Sequence, residues 1–584
     1  MALYSIDLNH REKEIRRVIL QPTNLGLSIT CSLDKVSLAD KPEYEALSYV
    51  WGNSTTRQDI MVDNLPFSAT QNLAVALQHL QLPDKPRKLW IDAICINQSN
   101  VEERNAQVQM MGEIYAHANP VLIWLGEATD ESNEAFDLMS ATEAEEDITD
   151  EAGRRIFSLC FELVKREWFT RLWTVQELAL ANRDPIVGCG SKWMPWSILS
   201  RAWQRVAMRE FEKMQMVMPE SRPGMESGGD TDLVLRTSGI KLDLLINIRA
   251  AASTRGGDSL RNLLLHTNTS QVTEPKDRIY ALLGMMSKQD REKITVDYSR
   301  DVGTVFAGAV AHIFEKGQGP FFLSGLELTG PMTSASTPSW VPNFGSKSLL
   351  SPSRFHAPGI GASGDGSNCT NGAVSDDLKT LRVRGLYIDT VAEIIEFGHW
   401  GECLSRLPEV EELAVQARQL AACDTNDRPY LKPFKSKEPL WRTLITNRAY
   451  TGATREVAPH SYGAMYEILL RKQRNESGQS CADESTRDYE LSLMNYLPCS
   501  RFFITATGFC GIGPEVIEKG DQIAIWFGSP APFILRPHPQ PEAEQNGTIF
   551  AVVCVAYVAG IMDGEMVNEV YCEDLEDDIV FTVQ

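Results

Sequence analysis

Lys88-Leu89-Trp90-Ile91-Asp92-Ala93-Ile94-Cys95-Ile96 is a near-continuous apolar run that carries one carboxylate. Apolar residues without in–out alternation predict a strand covered on both faces, as the strands of a parallel sheet are. The flanks extend the pattern. Upstream, Ile15–Leu20, Leu27–Leu33 and Tyr44–Trp51 predict strands, the last closed by Gly52-Asn53, and Leu73, Leu77 and Leu80 share one face of a helix over Gln71–Leu80. Downstream, Asn100–Ala118 predicts a helix with Val108, Met111 and Tyr115 on its buried side. Asn119-Pro120 ends it, and Val121–Leu125 predicts the next strand, stopped by Gly126. The acidic stretch Glu127–Glu151 is expected to hold one solvated helix and loops. Strand–helix alternation of this kind implies parallel pairing and an α/β layer fold.

At 584 residues the chain exceeds one ordinary core, so several domains are expected. From about Trp193 to Phe314 the pattern is mainly helical, including Pro275–Gly284 and an amphipathic segment over Val302–Phe314. Residues 346–376 are rich in Ser, Gly and Pro and predict a long loop. The last third turns strand-like, over Leu381–Leu386, Arg501–Gly508, Gln522–Trp526, Phe533–Leu535 and Ile549–Val558. Two polar stretches, Thr425–Glu438 and Arg471–Arg487, interrupt it as insertions. The expected division is therefore 1–190 (α/β), 191–345 (mainly helical) and 346–584 (β-rich).

An apolar fraction of 43% and a charged fraction of 23% are those of a folded protein. The net charge of −22 argues against nucleic acid as a partner, since phosphate backbones are held by a surplus of Lys and Arg. The longest apolar stretch, Ile549–Val558, is about ten residues and falls short of a bilayer span. Met1-Ala-Leu-Tyr-Ser-Ile-Asp lacks the order of a secretory signal, and the twelve cysteines show no C-x-x-C spacing. A cytoplasmic location is expected. The nine histidines show no H-E-x-x-H, no G-K-S/T marks a phosphate loop, and no G-x-S-x-G marks a nucleophile elbow, so no metal and no cofactor is required. Gly508, Gly511 and Gly513 are expected in turns between strands.

The functional candidates centre on Trp168–Leu178, W-F-T-R-L-W-T-V-Q-E-L. Trp173 and Glu177 stand four apart and share one face of a helix. An indole and a carboxylate so placed can bracket a sugar ring, or they can pin the helix to the sheet, with Glu177 pairing Arg171. Asp92 lies in an apolar run, where an uncompensated carboxylate is costly. Asp92, Asn97 and Gln98 fall toward the carboxyl end of their strand, where open parallel sheets bind ligands. A hydrogen-bond network between Asp92 and Arg104 is the preferred structural alternative. Ser48 and Trp51 end the preceding strand and could line the same crevice, and Arg171 could hold a phosphate or a carboxylate.

Four blocks resemble those of fungal heterokaryon-incompatibility (HET) domain proteins, in the family's order. They are Tyr44–Gly52, Leu89–Gln98 with Glu103-Arg104 and Gln107-Val108, Val121–Gly126, and Arg171–Leu178. Lys276–Gly284, Pro338–Pro342 and Gly508–Pro514 also resemble segments of such proteins. The resemblance implies a fungal source and a role in non-self recognition leading to programmed cell death. HET domains are described as similar to Toll/interleukin-receptor (TIR) domains, which implies a TIR-like doubly wound parallel sheet. Many TIR domains cleave NAD with a Glu in a W-x-x-x-E-L helix, a spacing that Trp173–Leu178 fits, although Thr174 stands where Cys is usual. NAD then becomes a candidate substrate and Glu177 a candidate catalytic residue. Two further readings stay open: a non-enzymatic module that self-associates or recruits a protein partner, and an auxiliary enzyme of a metabolite pathway. Residues beyond 190 are expected to restrain the HET region or to sense a ligand.

Overall fold

The computed structural model of the protein describes the chain outside residues 1–2, 5–6, 24–27, 54, 144–148, 217–240, 253–255, 327, 329–336, 346–361, 363–371, 424–438, 451–454, 475–483, 539–547 and 567–577. The loop expected over 346–376 and the polar stretches 425–438 and 471–487 lie wholly or in large part outside the described residues. The chain divides into two compact units, Met1–Asp301 and Val302–Gln584.

In the first unit, nine strands make one sheet: β1 (Glu14–Leu20), β2 (Thr30–Ser37), β3 (Glu45–Tyr49), β4 (Arg57–Val62), β5 (Leu65–Thr70), β6 (Arg87–Trp90), β7 (Val121–Trp124), β8 (Ile186–Cys189) and β9 (Lys192–Pro195). Their order is β5-β4-β2-β1-β6-β3-β7-β8-β9. The strands β6, β3, β7 and β8 are mutually parallel, and the first three are joined by crossovers that contain helices. The sheet as a whole is mixed, which corrects the all-parallel expectation. The short link between β1 and β2 leaves no room for a crossover, so they pair antiparallel. The β4–β5 hairpin turns through Asp63 and Asn64, both at positive φ, as a two-residue primed turn requires.

The helices of this unit include α1 (Gln71–Leu80), α2 (Asp92–Cys95), α3 (Val101–His117), α4 (Asp130–Ala141), α5 (Asp150–Val164), α6 (Trp173–Ala179) and α7 (Trp196–Met216). The run Lys88–Ile96 is not one strand. β6 stops at Trp90, and Asp92 opens a helical turn by accepting from the Ala93 backbone at 2.7 Å, while the Ile96 N–H returns to the Asp92 carbonyl. Short apolar runs carry no periodicity that tells strand from buried helical turn. The acidic stretch likewise contains one whole helix and the start of a second, α4 and α5, capped by Thr129 and Thr149. Beneath α3, Arg16 and Glu103 form a buried two-pronged pair at 2.5 and 3.0 Å, and Glu103 also accepts from the Asn97 backbone. This pair fixes the loop between α2 and α3 to the sheet.

The second unit is β-rich. Its strands are β10 (Gly372–Val374), β11 (Leu381–Glu396), β12 (Arg448–Tyr450), β13 (Arg455–Val457), β14 (Ser500–Thr505), β15 (Cys510–Pro514), β16 (Gln522–Trp526), β17 (Phe533–Pro537), β18 (Ile549–Val555), β19 (Tyr557–Val558) and β20 (Asp578–Val583). The first half of β11 pairs with β20 on one side, and its middle pairs with β16 on the other. Pairings through β17 and β18 return to β20, so these strands close a small barrel. At Gly385 the backbone of β16 comes close to β11: a Cβ there would lie 2.3 Å from the Ile525 carbonyl oxygen. Leu386, Ile388, Ile523, Ile525, Ile534 and Cys554 fill the core. Of the three glycines expected in turns, Gly508 occupies one, whereas Gly511 lies inside β15 and makes room for the Phe503 ring. The segment Val302–Glu315 is helical, with Thr304, Gly308, Ala311 and Glu315 along its less buried face and the rest mostly buried. No helix among the described residues is long and apolar enough to cross a membrane.

Candidate functional site

A cavity of about 710 Å³ opens at the carboxyl ends of β3 and β6. Val50, Trp51 and Gly52 follow β3 into its wall, and Asp92 and Gln98 follow β6. Helix α3 contributes Arg104, Val108 and Met111, a stripe at helical spacing. The turn before α6 supplies Arg171, α6 itself supplies Trp173 and Glu177, and the segment 271–298 supplies Gln271, Asp277 and Tyr298. The volume falls in the range of small-molecule sites, roughly 300–1,000 Å³.

Local folding explains how α6 comes to the cavity. Thr174 is fully buried, and its hydroxyl donates to the carbonyls of Arg171 (2.8 Å) and Trp168 (3.1 Å), locking the turn into the helix. The Leu172 N–H donates to the Gln271 carbonyl, and the Gln271 N–H donates to Thr170. Gln176 accepts from the Gly284 backbone at 2.7 Å. The helix is thereby fastened on one side to β3 and on the other to residues 271–284.

Glu177 is only 4% exposed. The Ser48 hydroxyl donates to its Oε2, and the Trp168 indole N–H donates to that hydroxyl at 2.8 Å. Burial pushes the Glu177 carboxyl up to about 7, against the pull of the Arg171 guanidinium and the Ser48 hydrogen bond. Asp92 keeps a partly exposed face toward the cavity but is otherwise ringed by protein, and this desolvation raises it, with Arg171 opposing. Its oxygens accept from the Trp51 indole at 2.8 Å and the Ala93 backbone at 2.7 Å. Asp277 is raised by burial as well, while its oxygens accept from the Trp173 indole (2.9 Å) and the Tyr298 hydroxyl (2.5 Å). Arg171 donates to the Tyr49 carbonyl, and its charge is felt by all three acids.

The cavity thus gathers Glu177, Trp173, Asp92, Gln98, Trp51 and Arg171. Two sequence candidates are not on its wall. Ser48 is fully buried behind Glu177, and the Asn97 side chain is turned onto Ser99, accepting from that residue's hydroxyl at 2.7 Å. The Asp92–Arg104 network does not form either, because Asp92 is taken by Trp51 and Ala93 while the Arg104 guanidinium lies 4.3 Å over the Tyr298 ring. Arg104 as a cavity residue, together with Asp277 and Tyr298, escaped the sequence reading. The block Lys276–Gly284 reads as a helix and as a family-like segment but not as a site, and no local pattern around Tyr298 points to one. Among the described residues, no group of three or more His, Cys, Asp or Glu side chains is placed to hold a metal ion.

Residues 44–177 match the family described as heterokaryon incompatibility protein (HET), a span running from the start of β3 to Glu177 itself. By this match β3, β6, α3 and α6, which build the cavity, lie in a region that resembles HET domains. A second match, over residues 453–575, is to the Het-6 beta-barrel domain and takes in β16, β17 and β18 of the barrel. Heterokaryon incompatibility protein 6, OR allele, of Neurospora crassa is 24% identical over 98% of this chain and 97% of its own length. No solved structure matches the chain.

Proposed function

We propose that this protein acts in fungal non-self recognition leading to programmed cell death, and that its HET region cleaves the N-glycosidic bond of an NAD-type nucleotide. One observation carries the catalytic part. Glu177 is a buried carboxyl, poised near neutrality and bordering a nucleotide-sized cavity that it shares with the indoles of Trp173 and Trp51. The parallel strands β6, β3, β7 and β8 follow one another as second, first, third and fourth, an order of doubly wound sheets that bind ligands at the strands' carboxyl ends. That order supports the TIR-like reading of this part of the sheet, and the name of the Neurospora relative supports the incompatibility role.

The chemistry needs no metal and no redox partner. The C1′–N bond breaks, nicotinamide leaves with the bonding pair, and positive charge develops on the ribose. Ionised Glu177 and Asp92 stabilise that charge in a site of low dielectric. Water adds at C1′ and its proton passes to Glu177, whose affinity for protons near neutrality suits a general base. The products are ADP-ribose, nicotinamide and a proton. Self-association or a protein partner would assemble the active form, and the cytoplasm is the compartment this reading requires.

The test uses purified full-length protein, free and crowded, incubated with NAD. Nicotinamide should appear with the native protein and fall at least a hundredfold with Glu177→Gln. If Glu177→Gln instead kills a fungal host as well as the native protein does, the region works by docking rather than by hydrolysis.

A further inference from the structure

Arg16 and Arg171 of the first unit, the former buried and the latter half-buried, end on protein acceptors. Arg16 is held by Glu103, and Arg171 by the Tyr49 carbonyl. Arg104 departs from this pattern. Its guanidinium is stacked at 4.3 Å over the Tyr298 ring, and its Nε is shielded with no hydrogen-bond partner. Both side chains line the cavity that contains Glu177. Among the described residues no carboxylate stands within ion-pair distance of Arg104, and the nearby acids are occupied. Both Asp277 oxygens are taken by Trp173 and Tyr298, both Asp92 oxygens by Trp51 and Ala93, and Glu274 faces Lys276.

We infer that Arg104, held over the Tyr298 ring, is an anion subsite that takes a phosphate of the bound nucleotide. A guanidinium fork matches phosphate in two-pronged fashion, and a ring beneath it fixes the plane of the fork. Arg104 opens a stripe with Val108 and Met111 that extends about 10 Å along α3, long enough to separate a phosphate from a ribose lying near Glu177. The inference rests on the nucleotide reading of this cavity and specifies it: the ligand is a phosphate-bearing nucleotide, anchored by its anion rather than by its base.

Calorimetric titration of full-length protein with ADP-ribose tests this without any turnover. Native protein should bind, and Arg104→Gln should bind at least tenfold more weakly. Nicotinamide riboside, which lacks phosphate, should bind native protein and Arg104→Gln alike. Equal ADP-ribose affinity for native protein and Arg104→Gln, or no binding to native protein at millimolar ligand, overturns the subsite. Should Arg104→Gln melt early, Arg104→Lys decides instead: it keeps the charge and loses the fork, so affinity should drop several-fold at unchanged melting, and unchanged affinity overturns the inference. Arg104-dependent binding without nicotinamide release would sink the cleavage proposal alone, while release with Arg104-independent binding would sink only the subsite.

Discussion

The hydroxyl of Ser48, on β3, donates its hydrogen bond to Oε2 of Glu177, on α6. The acid is therefore held from behind, on its sheet side, while its helix borders the cavity. Because the bond favours the ionised form, Ser48→Ala should raise the Glu177 pKa further above about 7. Nicotinamide release, which needs the carboxylate, should then fall at pH 7 and recover at higher pH. A pH–rate profile with an unmoved acid limb would contradict this.

The same acid makes stability depend on pH. Its folded pKa, about 7, lies above the unfolded 4.5, so the folded chain holds this proton more tightly. The stabilisation is complete below pH 4.5, declines as pH rises to 7, and is gone above it. The shift corresponds to about 3 kcal/mol at most. Glu177→Gln should therefore stabilise the protein at pH 8 by an amount approaching that, and far less at pH 5. Denaturant unfolding at the two pH values measures the difference.

Asp277 holds two cavity walls at once, through Trp173 and Tyr298. In Asp277→Asn one oxygen becomes an NH2 group facing a donor, at a cost of about 1–3 kcal/mol. A lower melting temperature and a raised KM for NAD are expected, with kcat less affected. A KM equal to that of the native protein would remove Asp277 from the account of the site.

Arg16 and Glu103 are both buried, and Glu103 also holds the Asn97 backbone. Removing one charge strands the other in a dry interior, so Arg16→Leu should destabilise by ~3–5 kcal/mol. Urea unfolding reads this directly, and a loss under 1 kcal/mol would contradict it.

Much of the fold could be read from local chemistry. β7 announced itself as an unbroken apolar run, β3 as one interrupted by Glu45 and Ser48, and α3 through its stripe of Val108, Met111 and Tyr115. The end of β6 could not be read, because Asp92 ends the strand through a bond to its own neighbour that hydrophobicity does not encode. The β4–β5 hairpin was missed because Asp63-Asn64 achieves its turn without the usual glycine. At the site, Glu177, Trp173 and Asp92 were visible as polar or aromatic groups set in apolar elements. Asp277 and Tyr298 were not, since they reach the cavity from a segment about a hundred residues further along the chain. Only tertiary contact, such as Gln271 against Arg171, brings them there.

The most direct test of the central claim is the rate at which purified full-length protein releases nicotinamide from NAD at pH 7.5, beside Glu177→Gln prepared and assembled identically. The account predicts release by the native protein and a loss of at least a hundredfold in the variant. Equal rates, or no nicotinamide from either, would contradict it.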